Sequence, residues 1–158
     1  MKARALLLCA FLCTFAAPLA AQGNPCTYDT CALRMRGAGF FKPGYIVRGE
    51  AQQEIMMLAP FGTPTAPIFQ ASDSAFIAAL EYDRLQPVAS VLNLAGPALL
   101  VLGPFLTNWR ERPVASFALM AGGFGMSIYG TYLTNAANDE LSRAIWYYNR
   151  DVASGRRF

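Results

Sequence analysis

Val88–Leu106 reads VASVLNLAGPALLVLGPFL and Val114–Leu133 reads VASFALMAGGFGMSIYGTYL. Neither stretch carries an Asp, Glu, Lys or Arg, and each approaches the roughly 20 apolar residues a membrane-crossing helix needs. The turn Asn108–Pro113 is too short for anything but an antiparallel return. Globular proteins also bury apolar helices, but 158 residues provide too little chain to cover two of them. The expected fold is therefore a mainly α membrane protein built on a two-helix transmembrane hairpin.

The first span repeats Gly-Pro at Gly96-Pro97 and Gly103-Pro104, seven residues apart. Ala89, Gly96 and Gly103 thus share one smooth helix face. In the second span Ala118 and Gly122 lie four apart, as do Gly123, Ser127 and Thr131. Lipid tails are as apolar as leucine, so helices in a membrane gain by close backbone approach, which small residues permit. These positions are expected to pack helix against helix, either within the hairpin or between copies. Pro97 removes a backbone bond and kinks its helix, which membrane helices tolerate. It either shapes a packed helix or marks a hinge or pore-lining break, and no charged residue accompanies it.

The N-terminus has the layout of a secretory signal: Lys2 and Arg4, an apolar run from Ala5, and the small-residue exit Pro18-Leu19-Ala20-Ala21. Cleavage after Ala21 leaves Gln22 as the mature start, with an uncleaved anchor as the alternative. The expected divisions are a signal peptide at 1–21, an extracytoplasmic segment at 22–71 and a juxtamembrane helix at 72–86. A first span at 87–107, a cytoplasmic turn at 108–113, a second span at 114–134 and an extracytoplasmic amphipathic helix with tail at 135–158 complete the chain. This describes a multi-pass protein of a bacterial inner membrane, with both flanks outside. Arg110 and Arg112 outweigh Glu111 in the turn, as the positive-inside rule asks, although Arg143, Arg150, Arg156 and Arg157 lie on the opposite side.

Within 22–71, Cys26 and Cys31 form a close pair that an oxidising compartment can join as a disulfide, with free thiols as the alternative. Leu33/Met35 alternate with Arg34/Arg36, and Tyr45–Arg48 is β-favouring, so a small hairpin is expected beside the disulfide. Glu50–Leu58 (EAQQEIMML) reads as a short helix stopped by Pro60, with Ile55–Leu58 as a third strand the alternative. Phe61–Ala71, with Pro64 and Pro67, reads as a linker without regular structure. Ser72-Asp73 caps a helix through Leu85 that shows Phe76, Ile77 and Leu80 on one face. Asn138-Asp139-Glu140 begins a second flanking helix. There Leu141, Ile145, Tyr148 and Val152 make an apolar stripe that Trp146 widens. This stripe packs on the outer segment, lies on lipid headgroups, or receives a partner.

The chain has no histidine, which removes imidazole bases, Ser-His-Asp triads and His-ligated metals. Its ten carboxylates are scattered, and the closest pairs, Glu81/Asp83 and Asp139/Glu140, suit solvated helix ends. The net charge of +3 includes Lys2 and Arg4, whose removal leaves +1 and no basis for nucleic-acid binding. The expectation is a non-enzymatic structural or interaction subunit without cofactor or metal, in contact with membrane lipid and with a protein partner or itself. An oligomeric pore or transporter accessory subunit is the alternative.

Overall fold

The computed structural model describes residues 26–37, 44–59, 61 and 63–155. The expected signal peptide, its cleavage site before Gln22 and the Arg156-Arg157 tail lie outside them.

Cys26 and Cys31 are joined by a disulfide, with their Cα atoms 5.6 Å apart. It closes around a single helical turn, α1 (Tyr28–Cys31). Three antiparallel strands follow in sequence order: β1 (Leu33–Arg36), β2 (Gly44–Arg48) and β3 (Gln53–Leu58). Leu33 pairs with Arg48, and Tyr45 with Met57. Ile46 faces Met56 while Val47 faces Glu54, so Ile55 is the extra residue of a bulge.

The short helix expected over Glu50–Leu58 is therefore replaced by β3. The physical reason lies in the turn before it. Gly49 and Gln52 adopt left-handed backbone, with φ of +64° and +50°, and this reverses the chain. Gly49 N–H donates to Ala32 O and Glu50 N–H to Asp29 O, both at 2.8 Å, so the turn is anchored on the disulfide loop. A β-carbon at Gly49 would sit 2.8 Å from Thr30 O. Once the turn is fixed, pairing along β2 outweighs the helix propensity of Glu-Ala-Gln-Gln.

The expected linker also holds structure. Ala66–Phe69 forms a 3-10 turn, with Phe69 fully buried. Asp83 accepts from Thr65 N–H (2.8 Å), Thr65 Oγ1 (2.9 Å) and Ala66 N–H (2.9 Å), which ties this turn to the next helix.

Two long helices dominate the molecule: α2 (Asp73–Leu106, 34 residues) and α3 (Pro113–Ala153, 41 residues). At a rise of 1.5 Å per residue they run roughly 50 and 60 Å. Both are long and apolar enough to cross a membrane, and only 17% of the most apolar window of each is buried. The core helix of a globular protein would have most of that window covered.

Each long helix unites two elements expected to be separate. The juxtamembrane helix at 72–86 and the first span are one helix through Pro87, Pro97 and Pro104. The second span continues without a break through Asn138-Asp139-Glu140 into the C-terminal helix. Proline fits here because its fixed φ is helical, and the remaining backbone bonds and the neighbouring helix hold the axis. Asn135-Ala136-Ala137 contains no breaker, so α3 has no reason to stop before Asp139.

The sheet leans on the ends of α2 and α3 remote from the 107–112 turn. Leu33, Ile46, Phe69, Tyr82, Leu141, Tyr148 and Val152 form one buried cluster there. The Phe69 and Tyr148 rings meet edge to face at 6.1 Å. Asn149 fastens β1 to α3 with its whole amide. Leu33 N–H donates to Asn149 Oδ1 at 2.7 Å, and Asn149 Nδ2 donates to Leu33 O at 2.8 Å. Ser72 caps α2, accepting from Ala75 N–H at 3.4 Å, and its hydroxyl donates to Asp151 Oδ2 at 2.7 Å.

Candidate functional site

The seam between α2 and α3 follows a seven-residue rhythm along its length. Buried residues on α2 include Ala75, Tyr82, Ala89, Gly96 and Gly103. Those on α3 include Ser116, Gly123, Gly130, Ala137, Ala144 and Asp151. A heptad keeps one face of a helix against its partner, and small residues at that face bring the backbones close.

A β-carbon added at Gly96 would meet Ser127 Oγ and lie 2.7 Å from Gly123 O. One at Gly123 would lie 2.6 Å from Gly96 O and 3.0 Å from Leu100 N. Of the small residues singled out in the sequence, Ala89, Gly96, Gly103, Gly123 and Ser127 come to this seam. Ala118 and Gly122 do not. They face outward, and a β-carbon at Gly122 meets nothing within 4 Å, as at Gly125. The reason is angular: a four-residue step from Gly122 leads to Ala118 on a face that the heptad through Ser116 and Gly123 turns away.

Hydroxyl and amide groups cross-link the seam at intervals. Thr107 and Ser116 share a hydrogen bond at the turn end. Asn93 Nδ2 donates to Thr134 Oγ1 at 2.9 Å. Gly130 makes room for this contact, since a β-carbon there would lie 2.6 Å from Asn93 Oδ1. Gly130 and Asn93 were not among the sequence candidates for packing; the heptad step from Gly123 points to the glycine.

The sheet-bearing end of the helix pair has two distinct faces. On one, Leu141, Tyr148 and Val152 are buried and Ile145 is half-buried beneath the sheet and its cluster. Of the three readings of this stripe (packing on the outer segment, a lipid surface or a partner surface), the fold takes the first, and only Trp146 of the set stays in the open. On the other face, Ile77 is 67% exposed, Leu80 48% and Trp146 59%. The expected face of Phe76, Ile77 and Leu80 is divided: Phe76 packs partly buried against the core cluster while Ile77 and Leu80 stay exposed, and alanines 75, 78 and 79 take the helix contact because the close helix leaves no room for larger side chains.

The outward face holds an open groove of about 690 Å³ between α2 and α3, floored by Ile77, Ala78, Leu80 and Tyr147. Its edges carry two ion pairs, Arg84–Glu81 at 3.5 Å and Arg143–Glu140 at 2.8 Å. Exposed pairs of this kind add little stability, and they leave both signs of charge available to a partner. Arg150 lies 5.3 Å from the Trp146 ring centre and 5.1 Å from that of Tyr147.

A second, smaller cavity of about 140 Å³ lies where α2 passes into its apolar stretch, between the 58–65 segment and Tyr82, Asp83, Gln86 and Pro87. Gln86 Oε1 is buried with no hydrogen-bond partner among the described residues. Burial, and after it the neighbouring Asp83 charge, raises the Tyr82 phenol above its ordinary pKa.

No protein-family model, curated protein or solved structure matches this chain.

Proposed function

We propose that this chain is a non-catalytic membrane-anchored subunit that docks another protein on the outward face of its α2–α3 stalk. The helices cross the bilayer from about Pro87 to Leu106 and from Pro113 to Thr134. The turn between them is cytoplasmic, and the disulfide-bearing sheet stands on the outer side of a bacterial inner membrane. Two aromatic pairs support this placement. Trp109 and Phe117 have ring centres 5.5 Å apart near the turn, and those of Tyr129 and Tyr132 are 6.2 Å apart near the opposite limit. The amphipathic rings among them, Trp109, Tyr129 and Tyr132, favour the two water–lipid boundaries.

The carrying observation is the exposed apolar floor formed by Ile77 and Leu80, beyond the charge-free stretches and hence beyond the depth that lipid tails cover. An uncovered apolar patch rimmed by charge is the usual form of a protein-binding surface. The test is photo-crosslinking in living cells with a reactive amino acid at Ile77 or Leu80, and at Met57 on the sheet as control. A discrete adduct from the two groove positions and none from Met57 is expected. An adduct pattern identical at all three, or none at the groove, contradicts the reading.

A further inference from the structure

The small cavity beside Gln86 has a specific chemical character. Among the described residues Asp83 is the sole charged side chain lining it. The nearest cation in sequence, Arg84, instead lines the groove on the other face and pairs there with Glu81. Asp83 receives three hydrogen bonds, two on Oδ1 and one on Oδ2. A carboxylate has about four acceptor sites, which leaves one on Oδ2. Gln86 Oε1 is a second acceptor, buried and without a partner among the described residues. Leaving such a group unpaired is unfavourable, so the site favours an occupant that donates. Tyr82 belongs to the same lining, and its phenol is a third group able to accept. An ammonium group carries three N–H donors and a positive charge, which matches this set in number and in sign.

The position narrows the source. Gln86 is the last polar residue before the charge-free stretch, and Pro87 is part of the wall. On the membrane-spanning reading of α2, on which this inference rests, that is headgroup depth. We propose that the cavity formed by Tyr82, Asp83 and Gln86 binds the primary ammonium of an ethanolamine lipid headgroup, with the acyl chains running down α2 beyond Pro87. A trimethylammonium headgroup has the charge but no N–H to give, and an anionic glycerol headgroup has hydroxyls to give but brings a negative charge beside Asp83.

The full chain is purified in mild detergent with an equal mixture of phosphatidylethanolamine, phosphatidylcholine and phosphatidylglycerol, and retained lipid is read by native mass spectrometry. Retention of the ethanolamine lipid about tenfold above each of the others is expected, the factor that one charge-assisted hydrogen bond supplies. Gln86→Met keeps the length and removes the acceptor, and should abolish the preference while leaving the melting temperature within a few degrees. Equal retention of the ethanolamine and choline lipids overturns the proposal. A preference that Gln86→Met leaves intact places the lipid elsewhere and overturns it too. Free ethanolamine at millimolar concentration that protects the protein from heat, with no lipid retained, overturns the lipid source. Flotation with vesicles separates the premises: a protein that floats without lipid preference loses only this inference, and one that does not float loses the membrane reading as well.

Discussion

Adjacent glycines in α3 carry opposite structural requirements. Gly123 is pressed against the Gly96 carbonyl, while Gly122 faces open space. Gly123→Ala should therefore cost about 1–3 kcal/mol through forced separation of the helices. Gly122→Ala should be neutral or stabilise by roughly 0.5–1 kcal/mol, because alanine restricts the unfolded chain more than glycine does. Thermal unfolding of both variants in the same detergent measures the difference, and equal destabilisation would place both residues in one environment. Tyr82 gives a pH dependence. Its folded pKa is raised, so the stability it contributes is complete below the unfolded value, about pH 10, and is lost as pH rises towards the folded value. Tyr82→Phe should flatten the alkaline fall in melting temperature while leaving the neutral region nearly unchanged in slope. An unaltered alkaline slope would show that the phenol is as accessible folded as unfolded.

At the scale of elements, the seam sets a register that can be locked. A β-carbon at Gly103 would lie 3.2 Å from Leu119 Cβ, close to the 3.5–4.5 Å that a disulfide spans. Gly103→Cys with Leu119→Cys should crosslink rapidly under mild oxidation, and Gly103→Cys with Gly122→Cys should not. Comparable yields from the two pairs would mean that α3 is rotated from the position described. The docking of β1 tests the other end. Asn149→Leu removes both amide contacts and leaves the Leu33 N–H and C=O unsatisfied where Leu33 is fully buried. A loss of about 2–4 kcal/mol in sheet protection is expected by hydrogen exchange, with the half of the hairpin next to the 107–112 turn unaffected.

The same elements show what the residue pattern discloses. Ala89, Gly96 and Gly103 are readable as a face because a seven-residue step needs no knowledge of the partner. The step extends to Ala75 and Tyr82, and on α3 from Ser116 to Asp151. Treating Pro87 as a helix start and Asn138–Glu140 as a cap divides the repeat, although neither feature breaks a helix that a neighbour supports. β3 is hidden for a different reason: its conformation is imposed by the left-handed turn at Gly49–Gln52 and by an edge of β2, and neither lies in its own composition. The Leu141–Val152 stripe is legible as apolar, but what covers it is a strand more than a hundred residues earlier, held through Asn149. The cavity at Gln86 has no linear signature, since its polar groups come from α2 and its opposite wall from the 58–65 segment.

For the whole molecule, the central claim is that one continuous helix hairpin passes through the bilayer and stands clear of it to hold the sheet. Its most direct test is single-cysteine labelling along α2 and the turn in intact spheroplasts, using a membrane-impermeant maleimide, with Cys26 and Cys31 protected by their disulfide. Cysteine at Arg84 should label at once, at Leu94 and Val101 not at all, and at Glu111 only after the membrane is opened. The Arg84 and Glu111 results fix opposite sides, and the two silent positions between them mark the lipid-covered length. Labelling of Leu94 and Val101 at the rate of Arg84 would show water along the whole of α2 and contradict the account.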